Sequence, residues 1–110
     1  MRFTIAEEDL DVVRSLKKDL LIGIVMRGGE VRLQVSDMHV YRGHVAWLSR
    51  DSIPRDAVER GFAIGVKEGH VQYLNPNSEL NPNRDRSLLD DEIEQLKDLL
   101  PLSEDFKVFK

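Results

Sequence analysis

The sequence predicts an α+β fold: an antiparallel sheet of about five strands, two hairpins plus a meander strand, with amphipathic helices at both ends and one short middle helix. Three observations lead there. LLIGIVMRGGEVRLQV and FAIGVKEGHVQYL each carry strand-period apolar residues around a glycine turn, as β-hairpins do. Leu10, Val13, Leu16 and Leu20, and later Leu89, Ile93, Leu96 and Leu100, recur at three- and four-residue steps, the spacing of one helical face. Pro54 and Gly61 bracket a segment with the entry and exit residues of a short helix.

Taken in order, Thr4-Ile5-Ala6-Glu7 has the form of a capping box, so Thr4 is expected to cap a first helix ending near Lys18. From Leu20 the period changes to that of a strand. Gly28-Gly29 turns the chain into EVRLQV, with Val31, Leu33 and Val35 on one face and Arg27, Arg32 and Gln34 on the other. Ser36-Asp37 shifts the alternation, and MHVY and HVAWLS, separated by Arg42-Gly43, are expected to extend the meander. A helix of about two turns is expected over Pro54–Arg60. The second hairpin, turned at Glu68-Gly69, sets Phe62, Ile64 and Val66 against Val71 and Tyr73. Ser87-Leu88-Leu89-Asp90 is a second capping signature, opening a helix that Pro101 stops.

Gly29 aligned on Gly69 places IGIVMRGGEVRL over FAIGVKEGHVQY, pairing Ile24 with Ile64, Arg27 with Lys67 and Val31 with Val71. The alignment predicts that both hairpins show one face to a shared sheet. Between the last strand and the last helix, residues 75–87 hold Asn-Pro-Asn twice, and each copy fits a type I turn. Leu80 between them reads as a peg for an ordered connection. In the tail, residues 104–110, Phe106, Val108 and Phe109 are expected to close this chain's own core, the alternative being an edge strand offered to another chain. In element order alone the chain resembles the small acidic homodimeric chaperones of type III secretion, a likeness of fold order that carries no function by itself.

The 110 residues are read as a single domain, 1–110, for which a second core would lack material. No cysteine is present, which excludes disulfides, thiolate nucleophiles and cysteine-based metal sites. The first residues lack the apolar run of a signal peptide and no stretch approaches the ~20 apolar residues of a membrane span, so a soluble cytoplasmic protein is expected. Net charge is −4 and uneven: residues 1–55 hold nine Lys/Arg against eight Asp/Glu, residues 56–110 seven against twelve. That balance leaves no uniform basic footprint for nucleic acid.

Asp37, His39 and His44 are the weak candidates for a metal site, and no metal or cofactor is assigned. Gly28-Gly29 leads into a strand, whereas a phosphate loop leads into a helix, and no serine has a nucleophile-elbow context. The sequence therefore points to a small non-enzymatic protein acting through protein–protein contacts, as a homodimer, a chaperone-like subunit or a regulatory factor. The expected contacting residues are Arg27, Arg32 and Gln34 on the outer sheet face, Asp91, Glu94 and Asp98 on the acidic helix, and Phe106 and Phe109. Two alternatives remain: a nucleic-acid-associated regulator using Arg27, Arg32, Arg42 and Arg50, with Tyr41 for stacking, and a small metal-binding protein or enzyme.

Overall fold

The computed structural model describes residues 1–36, 43–77 and 87–109, with the backbone alone at 43–46. Within them lie β1 (Thr4–Ile5), α1 (Glu7–Ser15), β2 (Lys18–Met26), β3 (Glu30–Val35) and α2 (Gly43–Arg50). A single 3-10 turn (Arg55–Ala57) follows, then β4 (Val58–Lys67), β5 (His70–Asn75), α3 (Asp90–Leu99) and β6 (Leu102–Val108). The class is α+β, and the sheet has six strands in the order β1-β3-β2-β4-β5-β6.

The sheet is mixed, not antiparallel. The two hairpins β2–β3 and β4–β5 join through an antiparallel β2–β4 pair, while β1 lies parallel to β3 and β6 parallel to β5. Parallel neighbours need a crossover, and α3 supplies one between β5 and β6. The chain thus begins and ends its sheet with strands, which sets it apart from the helix-first, helix-last order of the secretion chaperones.

Alternation divides β2 between two cores. Leu21 and Val25 point into the larger core with Phe62, Ile64, Val66, Val71 and Leu74, beneath α1 (Leu10, Val13) and α3 (Ile93, Leu96). Ile22 and Ile24 point the opposite way, to Trp47, Leu48 and Val58. A strand buried on both faces reads as a continuous apolar run, which is what LLIGIV is.

This second core corrects one expectation directly. HVAWLS is no strand: it lies in α2, and Trp47 and Leu48 cover the sheet face that was expected to be open. Both edges of β2 are already occupied by β3 and β4, so the segment has no ladder to join there. The Trp47 Nε1–H donates to Asp51 Oδ2 at 2.8 Å just past the helix C-terminus. MHVY, residues 38–41, lies outside the described residues.

Other boundaries shift for equally local reasons. Thr4 does not cap α1; its N–H donates to Gly29 O at 3.0 Å as part of the β1–β3 pairing, and Ala6 occupies the N-cap with no side-chain hydrogen bond. Glu7, Glu8 and Asp9 in the first turn complement the helix dipole instead. The helix stops at Ser15, so Leu20 belongs to β2. The helix expected over Pro54–Arg60 reduces to the 3-10 turn, because Val58 already pairs with Met26 and Gly61 with Ile24 in the β2–β4 ladder.

The α3 cap also differs from expectation. Leu89 is the N-cap residue, its N–H donating to Glu92 Oε1 at 2.8 Å, and Ser87 Oγ is buried without a hydrogen-bond partner among the described residues. Gln95 ties the same helix to the chain's first residues: its Oε1 accepts from Phe3 N–H at 2.7 Å and its Nε2 donates to Met1 O at 2.9 Å.

Both glycine turns stand as expected. Glu68 (φ 51°) and Gly69 (φ 76°) form a two-residue loop with positive φ at both positions, the backbone of a type I′ turn. The 40-residue alignment holds for Val31 and Val71, which both face the larger core, and fails in the first strand of each hairpin. Ile24 and Ile64, which it equates, face opposite sides of the sheet, so the shared face expected of the two hairpins is carried by β3, β4 and β5 but not by the Ile24 side of β2. In the 75–87 connection, Asn77 N–H donates to Asn75 Oδ1 at 3.0 Å, an Asx turn at the first Asn-Pro-Asn, where a type I turn was expected. Leu88 N–H donates to Pro76 O at 3.0 Å, which brings the two ends of the connection together; Leu80 and the second Asn-Pro-Asn lie outside the described residues.

Candidate interaction surfaces

Of the three residues expected on the outer sheet face, Arg32 and Gln34 lie on the face opposite Val31 and Leu33, as expected, and Arg27 lies in the adjoining turn. Arg27 sits in the β2–β3 turn, 3.5 Å from Glu59, while Arg32 and Gln34 lie on β3 beside Glu30. Arg32 meets Glu30 with Nε and Nη2 at 3.4 Å each. Arg50, at the end of α2, is 3.1 Å from Asp51. Each of these arginines therefore spends its charge on a neighbouring carboxylate, and Arg42 and Tyr41 lie outside the described residues.

On α3, Asp91, Glu94 and Asp98 are all exposed, as the helical stripe requires when Ile93 and Leu96 face the core. Glu94 is 3.2 Å from Lys97, and Asp98 borders a small cleft of ≈ 200 Å³ with Arg2, Phe3 and Gln95. The helix also carries an inward carboxylate in its first turn. Glu92 is buried, and its Oε1 accepts from Arg60 Nε at 2.8 Å as well as from Leu89 N–H. Only the β4 register, which brings Arg60 under α3, reveals this pairing.

The residues of the tail are the ones the fold brings together. Phe106 and Val108 pack on the larger core. Phe109 continues past β6, its N–H donating to Leu74 O at 2.8 Å, and its ring stacks on Tyr73 with centroids 4.8 Å apart and planes at 19°. Tyr73 in turn lies over Gly65, where any Cβ would overlap its ring. Phe109 nevertheless remains 48% exposed. Leu20, Gly65 and Tyr73 line a cleft of ≈ 420 Å³ on the same side of the sheet. Among the described residues, no strand pairs with the outer edge of β6.

The shifted titrations are scattered. Burial raises the Asp9 carboxyl above its usual range, partly offset by a backbone hydrogen bond from Leu33. Asp105 on β6 is held below the usual range, first by the Ser103 hydroxyl, which donates to its Oδ1 at 2.7 Å. Asp51 is lowered as well, chiefly by Arg50 and then by the Trp47 indole N–H. Asp9, Asp51 and Asp105 stand on α1, after α2 and on β6, so these groups do not share a cleft. Among the described residues no three His, Asp or Glu are grouped to hold a metal ion. Asp37 and His39 lie outside the described residues, and of His44 only the backbone, in α2, is described. Likewise no helix of the described residues is long and apolar enough to cross a membrane.

Asp51 yields a pH prediction. Its folded-state pKa is depressed, so the stabilisation its ionised form provides is present above the unfolded carboxylate pKa and is lost as pH falls through the folded value. Asp51→Asn, which resembles the protonated side chain, is expected to lower the urea midpoint at pH 7 and to match the parent at strongly acidic pH. A gap between the two proteins that stays constant from pH 7 downwards would contradict the assignment.

Comparison of the chain with protein-family models, with curated proteins and with solved structures returns no match. The functional reading rests on the surface alone.

Proposed function

We propose that this protein acts without chemistry of its own, by binding another protein chain through the β6 side of its sheet. The observation that carries the reading is the seven-residue edge strand β6, whose outer side is unpaired among the described residues, bordered by the half-exposed Phe109 ring. An open strand edge presents a row of backbone donors and acceptors that another chain can complete, and a neighbouring aromatic gives such a contact an anchor. The acidic face of α3, with Asp91, Glu94 and Asp98, offers a second, charge-based contact. The arginines of the β2–β3 hairpin contribute less, since Glu59 and Glu30 engage them.

The test is retention of a protein from lysate of the native host on the immobilised full chain, with Phe109→Ser as the comparison. The exposed half of Phe109 makes this substitution mild for folding, and circular dichroism monitors that. A protein band retained by the parent chain and lost in Phe109→Ser supports the reading. Recovery of nucleic acid with no protein overturns it.

A further inference from the structure

We propose that the partner segment bound beside Phe109 is acidic and carries a large apolar side chain, which enters the cleft between Leu20, Gly65 and Tyr73 while its carboxylates meet Lys18, Lys67 and Lys107. The inference rests on the reading that a protein chain binds on the β6 side of the sheet and adds the chemistry of what is bound.

Strand register places these residues together. Leu20 of β2 stands opposite Gly65 of β4, Gly65 opposite Tyr73 of β5, and Tyr73 opposite Lys107 of β6. Residues paired across strands share a face, so the four form a row across the sheet on the side away from the larger core. The helix α2 covers only one end of that face: Trp47 and Leu48 pack on Ile22 and Ile24, and Leu20 is left half-buried outside that cluster. Gly65 has no side chain to fill the row. The cleft of ≈ 420 Å³ opens there, with Leu20 and Tyr73 as apolar walls and Lys18 and Gln72 at its rim. Phe109, stacked on Tyr73, extends the apolar surface to the β6 side.

The same register sets the charges around the cleft. Lys18 lies on the face of Leu20, two residues along β2, and stands directly opposite Lys67. Like charges directly opposite on a ladder are destabilising. Among the described residues no carboxylate lies at ion-pair distance from Lys18, Lys67 or Lys107 to relieve them. Asp105 feels Lys67 and Lys107 from further away, and Asp19, which also borders the cleft, alternates with Lys18 and so belongs to the other face of β2. Three ammonium groups around an apolar cleft, in a chain of net charge −4, complement a segment that bears carboxylates and one large apolar anchor. The unpaired edge of β6 beside the cleft favours a polypeptide over a nucleic acid, because a polypeptide brings the backbone N–H and C=O groups that complete a ladder.

Fluorescence anisotropy on the full chain tests this with a short labelled synthetic peptide of Glu and Asp around one central Phe. The parent chain is expected to bind it with a micromolar dissociation constant, and to bind a peptide with Ala in place of Phe, or with Lys in place of the acids, at least about tenfold more weakly. Lys18→Glu turns the like-charge pair into an opposite-charge one, so it is expected to raise the urea midpoint while weakening the acidic peptide about tenfold. A loss of affinity in a variant more stable than its parent does not come from misfolding. Lys18→Glu/Lys67→Glu is expected to reverse the preference towards the basic peptide. No binding of the acidic peptide at concentrations up to about 1 mM overturns the proposal, as does unchanged affinity or a lowered urea midpoint in Lys18→Glu, or equal affinity for the peptide without Phe. Tighter binding of a single-stranded oligonucleotide than of the acidic peptide overturns it in favour of nucleic acid. Retention of a host protein that depends on Phe109 but persists in Lys18→Glu/Lys67→Glu overturns the acidic segment while leaving the proposed function standing.

Discussion

Glu92→Ala is expected to destabilise the protein by about 3–5 kcal/mol, the usual cost of removing one partner from a buried ion pair. The Glu92 and Arg60 side chains are 5% and 18% exposed, with Nε and Oε1 2.8 Å apart. Truncation leaves the half-buried guanidinium with only the more distant Glu59, at 4.0 Å, as a counter-charge, and frees the Leu89 N–H at the start of α3. Glu92→Gln retains an oxygen acceptor for both donors and should cost distinctly less. The double variant Arg60→Met/Glu92→Leu removes both charges and should recover most of the loss, because a well-packed apolar pair can replace a buried ion pair at little cost. Urea unfolding of the four proteins measures this. Equal stability of Glu92→Ala and the double variant would show that the charge left on Arg60 is not what costs the energy.

The second large effect is expected at the centre of the sheet. Phe62 is fully buried on β4 and stands directly opposite Gly23 on β2. Its ring occupies the space that a Cβ on residue 23 would need. Phe62→Ala should cost about 3–5 kcal/mol through lost burial and the cavity left behind. Gly23→Ala alone should cost about 1–3 kcal/mol, the range for forcing an extra carbon into a packed core. In the Phe62→Ala background the same Gly23→Ala change should cost nothing or stabilise, since a strand interior favours alanine over glycine once the steric conflict is gone. Additive losses in the double variant, read from urea midpoints, would refute the contact.

These two sites mark the boundary of what was legible in the sequence. The hairpins were readable because their signal is local: alternation over Val31, Leu33 and Val71, and glycine turns at Gly29 and Gly69, all within a few residues. The amphipathic stripes of α1 and α3 were readable for the same reason. What escaped was set at a distance. The strand β6 pairs parallel to β5 across a helical crossover, and no short-range pattern announces a parallel neighbour. Thr4 looked like a cap because its own tetrapeptide allows one; its N–H is instead bound to Gly29 O, 25 residues on. In α2, Trp47 and Leu48 are adjacent and both buried, yet eight residues are too few for the helical period to outweigh the alternation of Val45 and Trp47.

The interaction surfaces divide the same way. Exposure of Asp91, Glu94 and Asp98 followed from helical spacing alone. The engagement of Arg27 by Glu59, the burial of Glu92 against Arg60 and the stacking of Phe109 on Tyr73 all depend on strand register between distant segments. Phe106 and Phe109 could be singled out as large apolar residues in a tail, but not sorted into one facing the core and one stacked on the opposite side.

The link from Gln95 to Met1 and Phe3 bears on how the chain is made. Synthesis proceeds at roughly 5–20 residues per second, so several seconds separate the appearance of Phe3 from that of Gln95. During that interval both hairpins are complete, but Phe3 has no α3 to hold it, and β5 presents an uncovered edge until β6 follows. Nascent chains of this protein are therefore most open to misassociation after the second hairpin has emerged and before β6 covers the edge of β5. Phe3 is thus among the last of these residues to reach its final place, long after it is made.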